Sequence, residues 1–293
     1  MQTTEDAKSS TLDEQTVLRT RMKKIKHKIA VISGKGGVGK TVTAVNLAIA
    51  LAMQGHENRV GLLDADLHGP CVPKMLGLED ENLKVGPIGA FPVVGPLGVK
   101  VASMAFVLEG KGVPVVWRGP LKMRAIQQFL SEIVWGELDF LLIDLPPGTG
   151  DEPLSVLKLL PEMDGVVIVT IPSEVSQTVV GKSITFSRQL NVPVIGIIEN
   201  MSGFVCPDCG KETHIFKSGG GEKVAKEYSV PFLGSIPLDP RVCEASDLGH
   251  PFIMEHPESA ASKGFMNIVE KIKTYIQNRE NNNSQSHEKT KDK

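Results

Sequence analysis

Residues 34–41 read GKGGVGKT and follow an apolar run. Gly34, Gly36, Gly37 and Gly39 allow successive backbone N–H groups to turn inward around phosphate oxygens, Lys40 supplies positive charge, and Thr41 supplies a hydroxyl for Mg²⁺. With Val38 inside the loop and Thr43 just beyond it, this stretch is the expected cradle of a nucleoside triphosphate. Three carboxylates belong with it. Asp64 and Asp66 close a second apolar run, and strand alternation points them to opposite sides, so only one of them can face an attacking water. Asp144 ends another apolar run, where a carboxylate can hold Mg²⁺ through water. The segment behind it, LPPGTGD, carries Gly148 toward a terminal phosphate, as a loop that responds when that phosphate leaves.

A second chemistry sits far downstream. Cys206 and Cys209 are spaced so that two thiolates converge on one metal or cluster. Either a [4Fe-4S] cluster or a Cys₄ zinc needs four, and a two-fold dimer would supply the other pair. His214 is a candidate helper if the metal is zinc. Cys71 and Cys243 stand alone and read as small buried residues.

The elements that must position these groups follow a repeating pattern. Apolar strands are expected at 28–33, 59–63, 140–143, 166–171, 194–198 and 232–236, with helices at 41–54, 118–134 and 177–190 and a Gly- and Pro-rich hairpin within 85–101. Alternation of this kind implies an α/β fold, a doubly wound, mainly parallel sheet with helices on both faces. A last helix places Phe265, Ile268, Val269, Ile272, Tyr275 and Ile276 on one stripe for docking. Residues 1–27 are expected to form a polar flexible extension, residues 28–277 the ATPase domain, and residues 278–293 a disordered tail.

The 293 residues carry a net charge of -2, which offers no global field for nucleic acid or an anionic membrane. Arg19, Arg21, Lys23, Lys24, Lys26 and Lys28 form a basic run, better read as a solvated entry helix than as a binding patch. Neither a signal peptide nor a membrane span is legible, so a cytoplasmic protein is expected.

The extra lysine in KGGVGKT resembles that of the deviant Walker A ATPases, which include nitrogenase iron protein and the Min and Par positioning ATPases. Further segments make the likeness specific. DADLHGPCVPKMLG (64–77), WRGP (117–120), DLPPGTGDEPLS (144–155), ENMSGFVCPDCG (199–210), SGGGEK (218–223) and GSIPLDP (234–240) closely resemble the Mrp/ApbC family of ATP-dependent iron–sulfur cluster carriers. The resemblance spans roughly residues 28–275. It implies a homodimer in which Lys35 reaches the nucleotide of the opposing subunit, with Lys35, Lys40 and Asp66 catalytic and Asp66 orienting or deprotonating water. Asp64 would support the Mg²⁺ shell beside Thr41 and Asp144.

It further implies that Asn200 pairs with the adenine edge, with Pro237 also at the cofactor. Adenine is favoured over guanine because no NKxD motif occurs. Cys206 and Cys209 would bridge a labile [4Fe-4S] cluster between subunits, taken from a cluster donor and passed to apo iron–sulfur proteins, with slow ATP hydrolysis serving the transfer. The family usually has serine at Cys71 and commonly arginine at Cys243. Two other readings stay open: a Min- or Par-type positioning ATPase, and a dimer-bridging zinc in place of the cluster.

Overall fold

A computed structural model describes residues 14–107, 119–206 and 209–291. The chain runs α1 (14–22), β1 (Ile25–Ile32), α2 (Lys40–Leu51), β2 (Val60–Asp64), α3 (Val72–Met75), β3 (Lys84–Gly86), β4 (Gly89–Phe91), β5 (Val93–Val94) and β6 (Lys100–Ser103). It continues with α4 (Gly119–Glu132), β7 (Leu138–Asp144), α5 (Asp151–Leu159), β8 (Gly165–Thr170), α6 (Glu174–Gln189), β9 (Val194–Glu199), β10 (Phe204–Val205) and β11 (Glu212–Thr213). The last elements are α7 (Gly220–Glu227), β12 (Phe232–Ser235), α8 (Arg241–Leu248), α9 (Phe252–Glu255) and α10 (Ala260–Lys291).

Eight strands form one sheet in the order β12-β9-β8-β1-β7-β2-β6-β5. Every pairing is parallel except β5 with β6 at the edge. Side-chain alternation sends Ile29 and Val31 of β1 into one core and Ala30 and Ile32 into the other. Helices α2, α3, α8, α9 and α10 cover the first face, and α1, α4, α5, α6 and α7 cover the second. Strands buried on both faces read as near-continuous apolar runs, which is what residues 140–143 of β7 (FLLI) and 166–169 of β8 (VVIV) show.

Several boundaries differ from expectation. The extension assigned to residues 1–27 gives way to structure at residue 14, since α1 buries Leu18 and Met22 and β1 starts at Ile25. These apolar residues, three or four apart, outweigh the cations between them; residues 1–13 lie outside the described part. Residues 85–101 divide. β3 and β4 form the separate hairpin, while β5 and β6 extend the main sheet. The tail expected to be disordered from residue 278 continues α10 to Lys291, with no Gly or Pro after Gly264 to stop it. Arg279 ties that helix to the Asp164 carbonyl. Its docking stripe is as expected, with Tyr275 only partly buried.

Candidate nucleotide site and cysteine hairpin

Because β7 lies between β1 and β2, three strand ends come together. Val31, Asp144 and Asp64 are register neighbours at the carboxyl edge of the sheet, where open α/β folds bind ligands. The glycine loop leaves β1 there and enters α2 through Gly39, which has φ 79 and needs a residue without Cβ. A Cβ at Gly39 would also lie 2.2 Å from Asn200 Nδ2, and one at Gly34 would meet Val179 of α6 within 2.8 Å. Gly36 and Gly37 have open space around them. The loop is thus gripped at both ends and accessible in the middle, and the N–H groups opening α2 favour an anion.

Asp144 is fully buried and gathers the loop's two functional side chains. Lys40 Nζ donates to Oδ1 at 2.5 Å, and Thr41 Oγ1 donates to Oδ2 at 2.7 Å. Burial pushes the Asp144 carboxyl up against the opposing pull of Lys40 and Thr41. The Thr41 hydroxyl and the Asp144 carboxylate together offer the hard oxygen donors that suit Mg²⁺. Thr43, also expected at the cofactor, is buried and donates its hydroxyl to the Gly39 carbonyl at 2.8 Å, so it braces the loop.

Asp64 and Asp66 differ sharply. Asp64 is fully buried and its carboxylate accepts from Ser103 Oγ at 2.9 Å, Val72 N at 3.2 Å and Asp66 N at 3.3 Å. Burial, reinforced by the charge of Asp144, raises its pKa from 3.8 to about 7. Asp66 is half-buried and uses Oδ1 to accept from the His68 and Gly69 N–H groups at 3.0 and 3.2 Å. Only Asp66 of the two therefore keeps an oxygen without a hydrogen bond among the described residues. His68 in turn reaches Glu152 at the start of α5, 3.0 Å away, and so joins the loop after β2 to the loop after β7. Gly148, at φ 93, donates its N–H to the Ser33 carbonyl at 2.8 Å. Lys35 is half-buried, and its ammonium has no hydrogen-bond or ion-pair partner among the described residues.

Asn200 directly follows β9 beside the loop and donates from Nδ2 to the Val38 carbonyl at 2.9 Å. Its amide is thus committed first to the phosphate loop. Pro237 is half-buried just after β12, in a segment whose neighbours Ile236 and Leu238 donate to the Glu199 and Gly203 carbonyls, both at 2.8 Å. That segment runs alongside the start of the cysteine excursion.

Cys206 follows β10 and Cys209 precedes β11, in a short antiparallel hairpin; Pro207 and Asp208 between them lie outside the described residues. Gly210 N donates to the Cys206 carbonyl at 2.9 Å, which closes the turn, and neither cysteine is in a disulfide. No group of three or more His, Cys, Asp or Glu side chains is placed to hold a metal ion among the described residues. His214 is exposed and lies near Glu212, at 3.9 Å. Cys71 and Cys243, expected to be buried, are both exposed, because each sits at a helix start on the solvent side. No described helix is long and apolar enough to cross a membrane.

Glu199 carries no role among the residues expected at the site. It is fully buried, and it accepts from Ser202 Oγ and the N–H groups of Gly219 and Gly221. The signal was present as two polar residues, Glu199 and Asn200, closing the apolar run VIGII. The roles of Ser103 and Glu152 were equally invisible, since each depends on a partner far away in sequence.

A parallel sheet with a glycine loop, lysine and hydroxyl at the edge of its central strand defines a P-loop nucleoside triphosphatase. A family model described as NUBPL iron-transfer P-loop NTPase matches residues 24–273, and the chain belongs to that family. It is 53% identical over 255 residues to an iron-sulfur cluster carrier protein of Saccharolobus solfataricus, covering 87% of this chain and 86% of that protein. It is also 53% identical over 267 residues to one of Methanocaldococcus jannaschii, covering 91% of each. Among solved structures it resembles an Archaeoglobus fulgidus nucleotide-binding protein in complex with ADP, at 42% identity and a TM-score of 0.72, covering 81% of this chain and 92% of that one. It shares the fold of Pyrococcus horikoshii MinD, at 23% identity and a TM-score of 0.61, over 84% of this chain and 96% of that one.

Proposed function

We propose that this chain is an ATP-binding and ATP-hydrolysing carrier that assembles a [4Fe-4S] cluster between two copies of itself and transfers it to apo iron–sulfur proteins. The observation that carries the reading is the attachment of a two-cysteine hairpin to the strand end whose Asn200 holds the phosphate loop. Relatives at 53% identity named as iron-sulfur cluster carriers support it.

Lys40 exchanges part of its pairing with Asp144 for the phosphate oxygens, while the loop N–H groups hold the remaining phosphate charge. Thr41 and Asp144 would hold Mg²⁺, with Asp64 behind them fixing the loop through Val72 and Ser103. Bound there, the cation would neutralise charge on the β- and γ-phosphates. Asp66, with one oxygen uncommitted, orients the attacking water. Gly148 releases Ser33 when a γ-phosphate offers its N–H a better acceptor, which gives the loop two states. Asn200 lies at the loop wall and contributes its remaining polar capacity to adenine, with Pro237 nearby. Hydrolysis is slow, since Asp66 is only half-buried and Lys35 acts from the opposing subunit. Two thiolates per chain fall short of the four that a cluster requires, so the cargo sits on the dimer axis. Cysteines outside any disulfide and a labile cluster suit a reducing compartment, the cytoplasm.

Anaerobic reconstitution with iron and sulfide tests the reading. About four iron atoms per dimer are expected, lost on replacing Cys206 and Cys209 by alanine and transferable to an apo-enzyme. Tight zinc binding without iron uptake would overturn the cluster assignment. Lys40→Ala should abolish ATP binding, and a folded variant that still binds would overturn the nucleotide assignment.

A further inference from the structure

Glu199 and Asn200 are consecutive, yet their side chains grip different parts of the molecule. Asn200 Nδ2 holds the phosphate loop at the Val38 carbonyl, and the Asn200 N–H holds β8 at the Thr170 carbonyl, at 2.7 Å. One residue earlier, the Glu199 carboxylate takes Ser202 Oγ at 2.5 Å and Gly219 N at 2.9 Å on Oε1, and Gly221 N at 2.5 Å on Oε2. Ser202 and Gly219 are the two ends of the excursion that carries Cys206 and Cys209. A single buried carboxylate therefore closes the base of that excursion. The junction is crowded. A Cβ on Gly221 would come within 3.2 Å of Glu199 Oε2, and one on Gly220 within 2.3 Å of the Pro172 carbonyl. The charge is balanced by the N–H groups opening α7, which favour an anion at that helix end.

We propose that Glu199 is a positioning residue that transmits the state of the phosphate loop to the cysteine hairpin. Nucleotide that shifts Val38 moves Asn200, and the adjoining Glu199 passes that displacement to both ends of the hairpin, because its carboxylate accepts from Ser202 at one end and from Gly219 and Gly221 at the other. Coupling between two sites requires a contiguous element whose arrangement both sites bias, and this two-residue junction is one. The inference rests on the carrier reading only for what the hairpin carries; the coupling itself needs no cluster.

The test uses the full-length, cluster-free protein and reads the rate at which a maleimide alkylates Cys206 and Cys209, with and without a Mg²⁺-bound non-hydrolysable ATP analogue. In the wild type the analogue should change the rate by about five-fold or more, in the range of ordinary inter-site coupling. In Glu199→Gln, whose amide opposes the Gly221 N–H, the ratio should fall to near one while affinity for the analogue stays within about three-fold. An unresponsive wild type, or a variant that keeps the full ratio, would overturn the proposal. Should Glu199→Gln fail to fold, Ser202→Ala and Ser202→Thr decide. The threonine keeps the hydroxyl and should keep the ratio, the alanine should lower it, and equal ratios would overturn the proposal. A responsive wild type that never takes up iron would sink the carrier reading and leave the coupling standing.

Discussion

At the scale of single residues, burial separates two carboxylates that look alike in the sequence. Asp64 is enclosed and lies beside Asp144, which is why it holds its proton up to about pH 7, whereas Asp66 keeps partial access to solvent. The sign of the consequence is fixed. A folded-state value above the ordinary 3.8 means that the folded protein binds the proton more tightly, so stability falls as pH rises between about 4 and about 7. Asp64→Asn cannot titrate and should remove this part of the slope. Urea unfolding of both proteins at about pH 5 and about pH 8 should show the loss shrinking by on the order of 2 kcal/mol in the variant. An unchanged slope would mean that Asp64 does not change charge in that window. The described partners of the Asp64 carboxylate are Val72, Ser103 and the Asp66 N–H, so the support it is proposed to give Mg²⁺ would run through the loop that these contacts fix.

At the scale of elements, most of the sheet was legible because strands buried on both faces carry apolar runs, as β7, β8 and β9 do at residues 140–143, 166–169 and 194–198. The phosphate loop was legible because its backbone geometry demands particular residues at particular places. What escaped was set by long-range pairing. That Asp64 faces Asp144 depends on β7 entering between β1 and β2, and no local pattern announces this order. The clasp at Glu199 depends likewise on Gly219 and Gly221, brought back twenty residues later by the excursion. Helix α1 is a different case. Its basic run reads as a solvated entry helix, and what the cations concealed is that Leu18 and Met22, one turn apart, are buried. Since Leu18 is only 2% exposed, Leu18→Ala should lower the unfolding free energy by about 2–4 kcal/mol in a denaturant titration. A loss below about 1 kcal/mol would return residues 14–22 to the status of an extension.

At the scale of the whole molecule, two features of one chain point beyond it. The hairpin offers two thiols where a cluster needs four, and the phosphate loop offers a cation with no counter-charge among the described residues. Lys35 differs in this from Lys40, which is already paired with Asp144. Removing Lys40 leaves the buried Asp144 carboxylate without its counter-charge and with only the Thr41 hydroxyl among the described partners, and breaking a buried ion pair in this way costs about 3–5 kcal/mol in folded proteins. Removing Lys35 leaves that pair intact, so Lys35→Ala should bind a non-hydrolysable ATP analogue within about three-fold of the wild type. If its ammonium completes the opposing nucleotide site, the variant should lose nucleotide-dependent dimerisation and hydrolysis together. Sedimentation with and without the analogue reads the first, and phosphate release reads the second. A variant that dimerises on nucleotide as the wild type does, or a wild type whose association ignores nucleotide, would remove Lys35 from the partner's site. The cysteine pair would then need some other means of meeting its twin.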